Sequence, residues 1–136
     1  MRRVAITGMG VVSAMGVGLG AFWDGLMASR SGSRRVSLGD PAVLSIQIAA
    51  EVPDFDPEVH LAGISIDMLD RFSQLAMVAG GEAVRDACLT LDEREQDRAG
   101  VSIGTGVGGA STQDVLYRRY YAEKIARAHP YSIPRT

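Results

Sequence analysis

Leu69, Phe72, Leu75, Ala76, Ala79, Ala83 and Ala87 recur every three or four residues. That spacing predicts one long helix over 66–89 with a single apolar face. Asp67 and Asp70 fall near its start, where the helix dipole favours negative charge. The later stripe positions are alanines, and Gly80 and Gly81 lie among them. A face this flat must lie close against another layer, so the helix already demands a sheet or a second helix.

Short β-capable runs supply the sheet. Residues 4–7 read Val-Ala-Ile-Thr and end at Gly8-Met9-Gly10, a strand entering a tight turn. Phe22, Trp23, Leu26 and Met27 give a helix over 21–28. A polar loop over 29–40 leads to a second strand candidate at 43–52, closed by Pro53 and the turn-forming run 54–57. A charged loop at 92–98 precedes a strand at 100–103, the glycine turn 104–109 and a third helix over 111–128. Strands alternating with helices indicate an α/β fold built from crossover units. No repeat or linker divides the chain, and 136 residues suit one domain.

Charge and composition exclude several functions. Fourteen basic against sixteen acidic residues give a net charge of −2, without the basic excess of a nucleic-acid binder. No apolar run approaches the ~18 residues of a membrane span. Arg2-Arg3 precede an apolar stretch, but Gly8, Gly10 and Ser13 interrupt it as they would not in a signal peptide. With a single cysteine the chain makes no internal disulfide, and the cytoplasm is the expected compartment.

Few side chains suggest chemistry. Residues 104–109 match G-x-G-x-x-G after a strand and before a helix, as at a dinucleotide site. The acidic residue expected about twenty positions on is absent, because Glu123 is nearer and lies in the third helix. The near-match Gly8-x-Gly10-x-x-Ser13 fails likewise, since Asp24 sits on a helix. Glycine turns that allow close packing explain both. Cys88 lies at the C-terminal end of the long helix beside Asp86, and both features oppose a thiolate. It reads as a small apolar filler. His60 and His129 have no metal-ligand spacing with each other or with Cys88, and each reads as a surface or loop residue. Tyr117, Tyr120 and Tyr121, with Arg118 and Arg119, read as a packed or subunit-facing amphipathic helix. No catalytic constellation, metal site or cofactor site emerges.

Arg3-Val-Ala-Ile-Thr-Gly-Met-Gly-Val-Val-Ser13 resembles the opening of the β-ketoacyl-acyl-carrier-protein synthases, especially the elongating type II condensing enzymes. Further landmarks follow in family order: Phe22-Trp23, Ser31-Gly32, residues 51–57, Asp70-Arg-Phe-Ser-Gln74, residues 83–91, residues 101–109 and Pro130-Tyr-Ser-Ile-Pro134. The resemblance covers essentially the whole chain. It implies part of the N-terminal half of a thiolase-like fold, layered helix–sheet–helix, working as a homodimer. The implied reaction is decarboxylative condensation of an acyl group with malonyl-acyl carrier protein, in fatty acid or polyketide synthesis. The partners are then acyl carrier protein and malonyl or acyl thioesters, with no nucleic acid and no membrane.

The family's nucleophilic cysteine and two assisting histidines come later than Thr136, so they map onto nothing here and this stretch alone is expected to be inactive. What maps is the acyl pocket. Val107, between Gly106 and Gly108, matches a branched residue that gates the acyl tunnel, and Tyr131 and Ser132 match a segment reaching the pocket near the dimer contact. Two departures stand out. Ala14 replaces a common proline after Ser13, and residues 62–69 lack the basic side chains with which relatives dock the acidic carrier. Arg127 and Arg135 are the alternative cations. The second reading is a non-catalytic chain-length partner in a ketosynthase heterodimer.

Overall fold

A computed structural model describes residues 3–37 and 41–125. Its regular elements are β1 (Val12–Ser13), β2 (Gly16–Val17), α1 (Leu19–Met27), β3 (Arg34–Arg35), β4 (Ile48–Ala49), α2 (Pro57–His60), α3 (Arg71–Asp86), α4 (Glu93–Gln96) and α5 (Ala110–Tyr117). They fall into two compact units, Met1–Asp56 with Val78–Thr90, and Pro57–Met77 with Leu91–Thr136.

In the first unit, the segment 8–11 lies directly on α3. A Cβ on Gly8 would sit 2.5 Å from Ala87 N and 2.7 Å from its Cβ, and would overlap Ala83 O. One on Gly10 would overlap Ala79 O and approach Ala83 N to 2.7 Å. Thus the alanine stripe at 79, 83 and 87 meets glycines, and backbone touches backbone. Hydrogen bonds add to the contact. The Met9 N–H donates to Asp86 Oδ2 and the Val11 N–H to Glu82 Oε2, each at 2.9 Å.

From there the chain turns through Ala14-Met15, pairing Val12 with Val17 and Ser13 with Gly16 in antiparallel register. Gly16 has φ 137°, a conformation that costs glycine little. Ala14 is accommodated in this turn, where its carbonyl accepts from Arg34 Nη2 at 2.9 Å. Helix α1 then begins after Gly18, which has no capping side chain. Its first amide, Leu19 N–H, donates to Glu82 Oε1 at 2.8 Å. One glutamate of α3 therefore holds the segment entering the hairpin and the helix leaving it.

Several strand and loop expectations require correction. Residues 4–7 and 100–103 belong to no strand among the described residues, and Val4 and Val101 are 96% and 89% exposed. β-Propensity reflects packing against neighbours, and a ladder needs a neighbouring strand. The strand expected over 43–52 is reduced to β4, preceded by a 3₁₀ turn at Pro41–Val43. Its partner β3 comes from the expected loop 29–40, with Arg34 opposite Ala49 and Arg35 opposite Ile48. Both sheets among the described residues are antiparallel pairs, and no parallel crossover pair occurs there.

In the second unit, α2 starts with Pro57 at its first position, where the missing N–H costs nothing, and Leu61 is buried just beyond it. The helix expected over 66–89 is broken. A 3₁₀ turn at Ile66–Met68 is followed by extended Leu69, and α3 starts only at Arg71. Asp70 causes the break by capping the new helix, with Phe72 N–H donating to its Oδ1 at 3.3 Å. The expected loop at 92–98 contains α4, closed by a capping box in which Asp92 and Glu95 each accept the other's backbone N–H. The helix expected over 111–128 consists of α5 and a π-helical turn at Arg118–Ala122. Its last expected residues, 126–128, lie outside the described residues.

At the other end of α3, within the first unit, Cys88 is exposed and has φ 49°. This corrects its reading as buried filler. Cys88 N–H donates to Arg85 O and Leu89 N–H to Val84 O, the pair of bonds that closes a helix through a left-handed residue. Glycine suits that position best. We expect Cys88→Gly to relieve about 1 kcal/mol of backbone strain, offset by about 0.5 kcal/mol from glycine's freedom in the unfolded chain. A higher urea midpoint for the intact protein would verify this, and a lower one would refute it.

Candidate acyl-pocket turn

The turn at 104–109 follows residues 100–103 and leads straight into α5. The Gly108 N–H donates to Thr105 Oγ1 at 2.9 Å, and Gly108 has φ 69°. A Cβ on Gly104 or Gly106 would meet nothing within 4 Å, so these glycines leave the turn's flank open. Val107 projects between Gly106 and Gly108 and is 75% exposed. Of the pocket residues expected from sequence, the structure thus brings Gly106, Val107 and Gly108 into one turn. Tyr131 and Ser132 lie outside the described residues, as do His129, Arg127 and Arg135.

Just behind the turn is a buried polar pair not anticipated from sequence. Gly109 begins α5 without a capping side chain. The third amide of the helix, Thr112 N–H, donates to Asp70 Oδ2 at 2.8 Å, and Thr112 Oγ1 donates to the same oxygen at 2.5 Å. Asp70 is 4% exposed and Thr112 8%. A carboxylate with three donors in such a place is held by short, charge-assisted hydrogen bonds. Asp70 thereby caps two helices, its own α3 and the distant α5. The Asp before a helical run was a visible capping signal. Its bond to Thr112, 42 residues on, had no local signal.

This pair also disfavours a nucleotide at the glycine turn. A pyrophosphate site needs free amides and positive potential at the helix N-terminus. Here Asp70 takes one of those amides and places a negative charge beside them. Glu123 caps the π-helical turn and Asp24 lies within α1, so neither stands at a strand end.

The remaining candidates are scattered. Cys88 sits beyond the C-terminal end of α3, the end that destabilises a thiolate. His60 ends α2 and is exposed. Among the described residues, no group of three or more His, Cys, Asp or Glu side chains could hold a metal ion. Also among them, no helix is long and apolar enough to cross a membrane. Tyr117, Tyr120 and Tyr121 are exposed, and Tyr120 and Tyr121 meet edge to face with centroids 5.0 Å apart. Arg118 pairs with Asp114 at 2.9 Å, an exposed contact that contributes little to stability. The stretch 62–69 forms a turn and a 3₁₀ turn with no basic side chain.

The family model for the β-ketoacyl synthase N-terminal domain matches residues 1–133, and the chain belongs to that family. Similar proteins include one assigned as polyketide β-ketoacyl synthase 1 in Streptomyces halstedii, 49% identical over 111 residues, which are 81% of this chain and 26% of the relative. The 3-oxoacyl-[acyl-carrier-protein] synthase 2 of Coxiella burnetii is 38% identical over 98% of this chain and 32% of its own length. Among solved structures, the ishigamide ketosynthase/chain length factor superposes with a TM-score of 0.80 at 33% identity, covering 98% of this chain and 34% of that one. The chain therefore spans about a third or less of the proteins it matches.

Proposed function

We propose that this chain forms the N-terminal part of a β-ketoacyl-acyl-carrier-protein synthase with a thiolase-like layered fold. In this reading the intact protein transfers an acyl group by decarboxylative condensation with malonyl-acyl carrier protein. The observation that carries the reading is the match over 98% of the chain to 3-oxoacyl-[acyl-carrier-protein] synthase 2, at 38% identity. The stretch supplies no nucleophile, since Cys88 lies at the wrong helix end. The cysteine that carries the acyl group and the histidines that assist condensation belong to the rest of the polypeptide, and a homodimer is the working form. Residues 104–109 form one wall of the acyl pocket, with Val107 setting its width. Flanking glycines leave room for a chain to pass the backbone.

A second reading, a non-catalytic chain-length partner of a ketosynthase, draws support from the stretch 62–69. Without cations there, an acidic carrier protein loses the complementary charge that speeds its docking. The solved ketosynthase/chain length factor is 33% identical to this chain, close to the 34% of the 3-oxoacyl-[acyl-carrier-protein] synthase 2 of Staphylococcus aureus.

The test is condensation by the intact protein, followed by mass spectrometry of the products from acyl donors of graded length. Val107→Phe is expected to reduce the longest product relative to the shortest by about tenfold, the scale on which a hydrophobic pocket discriminates chain size. Failure of the intact protein to condense any donor, alone or with a ketosynthase partner, would defeat the enzyme reading. Saturable NAD binding without acyl binding would defeat both.

A further inference from the structure

We propose that Asp70 is a positioning residue for acyl-chain selection, acting through Thr112 and α5 to fix how the 104–109 turn presents Val107. The inference rests on the proposed ketosynthase function and on the place given there to Val107.

Among the described residues, a Cβ on Gly104 or Gly106 would meet nothing within 4 Å and Val107 is largely exposed, so no side-chain contact within this chain fixes the turn's direction on that flank. Inside the turn the Gly108 N–H to Thr105 Oγ1 bond sets local shape but not orientation. Within this chain, the turn is continuous with the helix that follows it, and the anchoring of that helix bears on its orientation. That helix starts at a glycine unable to cap it, and among its first amides Thr112 N–H is satisfied by Asp70. The same carboxylate accepts the Phe72 N–H of α3. One buried charge therefore ties the N-terminus of α5 to that of α3. Thr112 follows Val107 by little more than one helical turn, so a tilt of α5 moves the Val107 side chain.

Asparagine is the sharpest probe. Asp70→Asn keeps the shape but offers one acceptor oxygen in place of two, and turns an amide N–H₂ toward donors. Thr112→Val removes only the hydroxyl bond and keeps the backbone one. Thr112→Ser retains both donors.

The experiment uses the intact protein with acyl-carrier donors of graded length, measuring kcat and KM for each and the product distribution. For Asp70→Asn the long-to-short product ratio should fall about tenfold, as expected when a reacting chain is misplaced by a fraction of an ångström to an ångström. KM for long donors should rise while kcat for the shortest donor changes less than about threefold. Thr112→Val should shift the ratio in the same direction by a smaller factor, and Thr112→Ser should leave it near wild type. Amide exchange over residues 104–112 should quicken in Asp70→Asn by about tenfold if the carboxylate holds the turn.

A uniform loss across donor lengths, tracking the melting temperature, would show a merely structural role and overturn the proposal. So would an unchanged length profile while wild type condenses normally, which leaves the ketosynthase reading standing. If wild type condenses no donor, that reading fails and this inference falls with it. Should Asp70→Asn not fold, Thr112→Val decides by the same ratio.

Discussion

Adding one methyl group at Gly10 should strongly destabilise the first unit. Gly10→Ala places a Cβ over Ala79 O and within 2.7 Å of Ala83 N and 2.9 Å of Glu82 Cβ. Two of these neighbours are helix backbone, which cannot swing aside as a flexible side chain would. Relief requires α3 and the segment 8–11 to separate, and that breaks the Met9 to Asp86 and Val11 to Glu82 bonds as well. We expect a loss of about 3 kcal/mol or more, the upper range for overpacking. Against a total stability of about 5–15 kcal/mol, that is enough to cut soluble yield sharply. Gly20 provides the control. It lies inside α1 with nothing within 4 Å of a built Cβ. Gly20→Ala should therefore stabilise by about 0.5–1 kcal/mol through helix propensity. Denaturant unfolding of both variants in the intact protein reads the contrast, and similar midpoints for the two would refute the close approach.

The second large effect is expected at Glu82. Its two carboxylate oxygens serve two separate amides, Val11 N–H and Leu19 N–H. Glu82→Ala leaves both donors without a protein partner at part-buried positions. Each buried donor left unmade costs about 1–3 kcal/mol. Partial water access lowers that figure, so we expect about 2–3 kcal/mol in all. Glu82→Gln should lose less, because its carbonyl still serves one amide. A denaturation midpoint for Glu82→Ala within about 0.5 kcal/mol of wild type, with slow exchange retained at Val11 and Leu19, would show that the carboxylate is not the cap.

How far the letters reach differs from element to element. Helix α1 and the body of α3 follow from apolar periodicity, and the structure has both. The glycine turn before a helix was equally legible, because glycine spacing is a local property. The α4 capping box was present in Asp92-Glu93-Arg94-Glu95 and passed for a charged loop, since four polar residues carry no periodicity. The break in the long helix was missed for another reason. Periodicity runs straight through Leu69, and only the capping geometry of Asp70 ends it. Cys88 looked like filler because a left-handed helix end is a feature of the backbone and cysteine does not advertise it.

The family could be read from the order of landmarks along the chain, from the N-terminal run to the 104–109 turn. The sequence by itself determined α1, the body of α3, the glycine turn before α5 and the family to which the chain belongs, because each depends on near neighbours or on linear order. Only the tertiary structure decided why those glycines matter and where the carboxylates go. Two helices start at glycines that cannot cap them, and α3 carries or adjoins the acids that do so, Glu82 for α1 and Asp70 for α5. These bonds join residues 63 and 42 positions apart. Their geometry exists only once the backbones have met, and at Glu82 the glycine–alanine contact permits that approach.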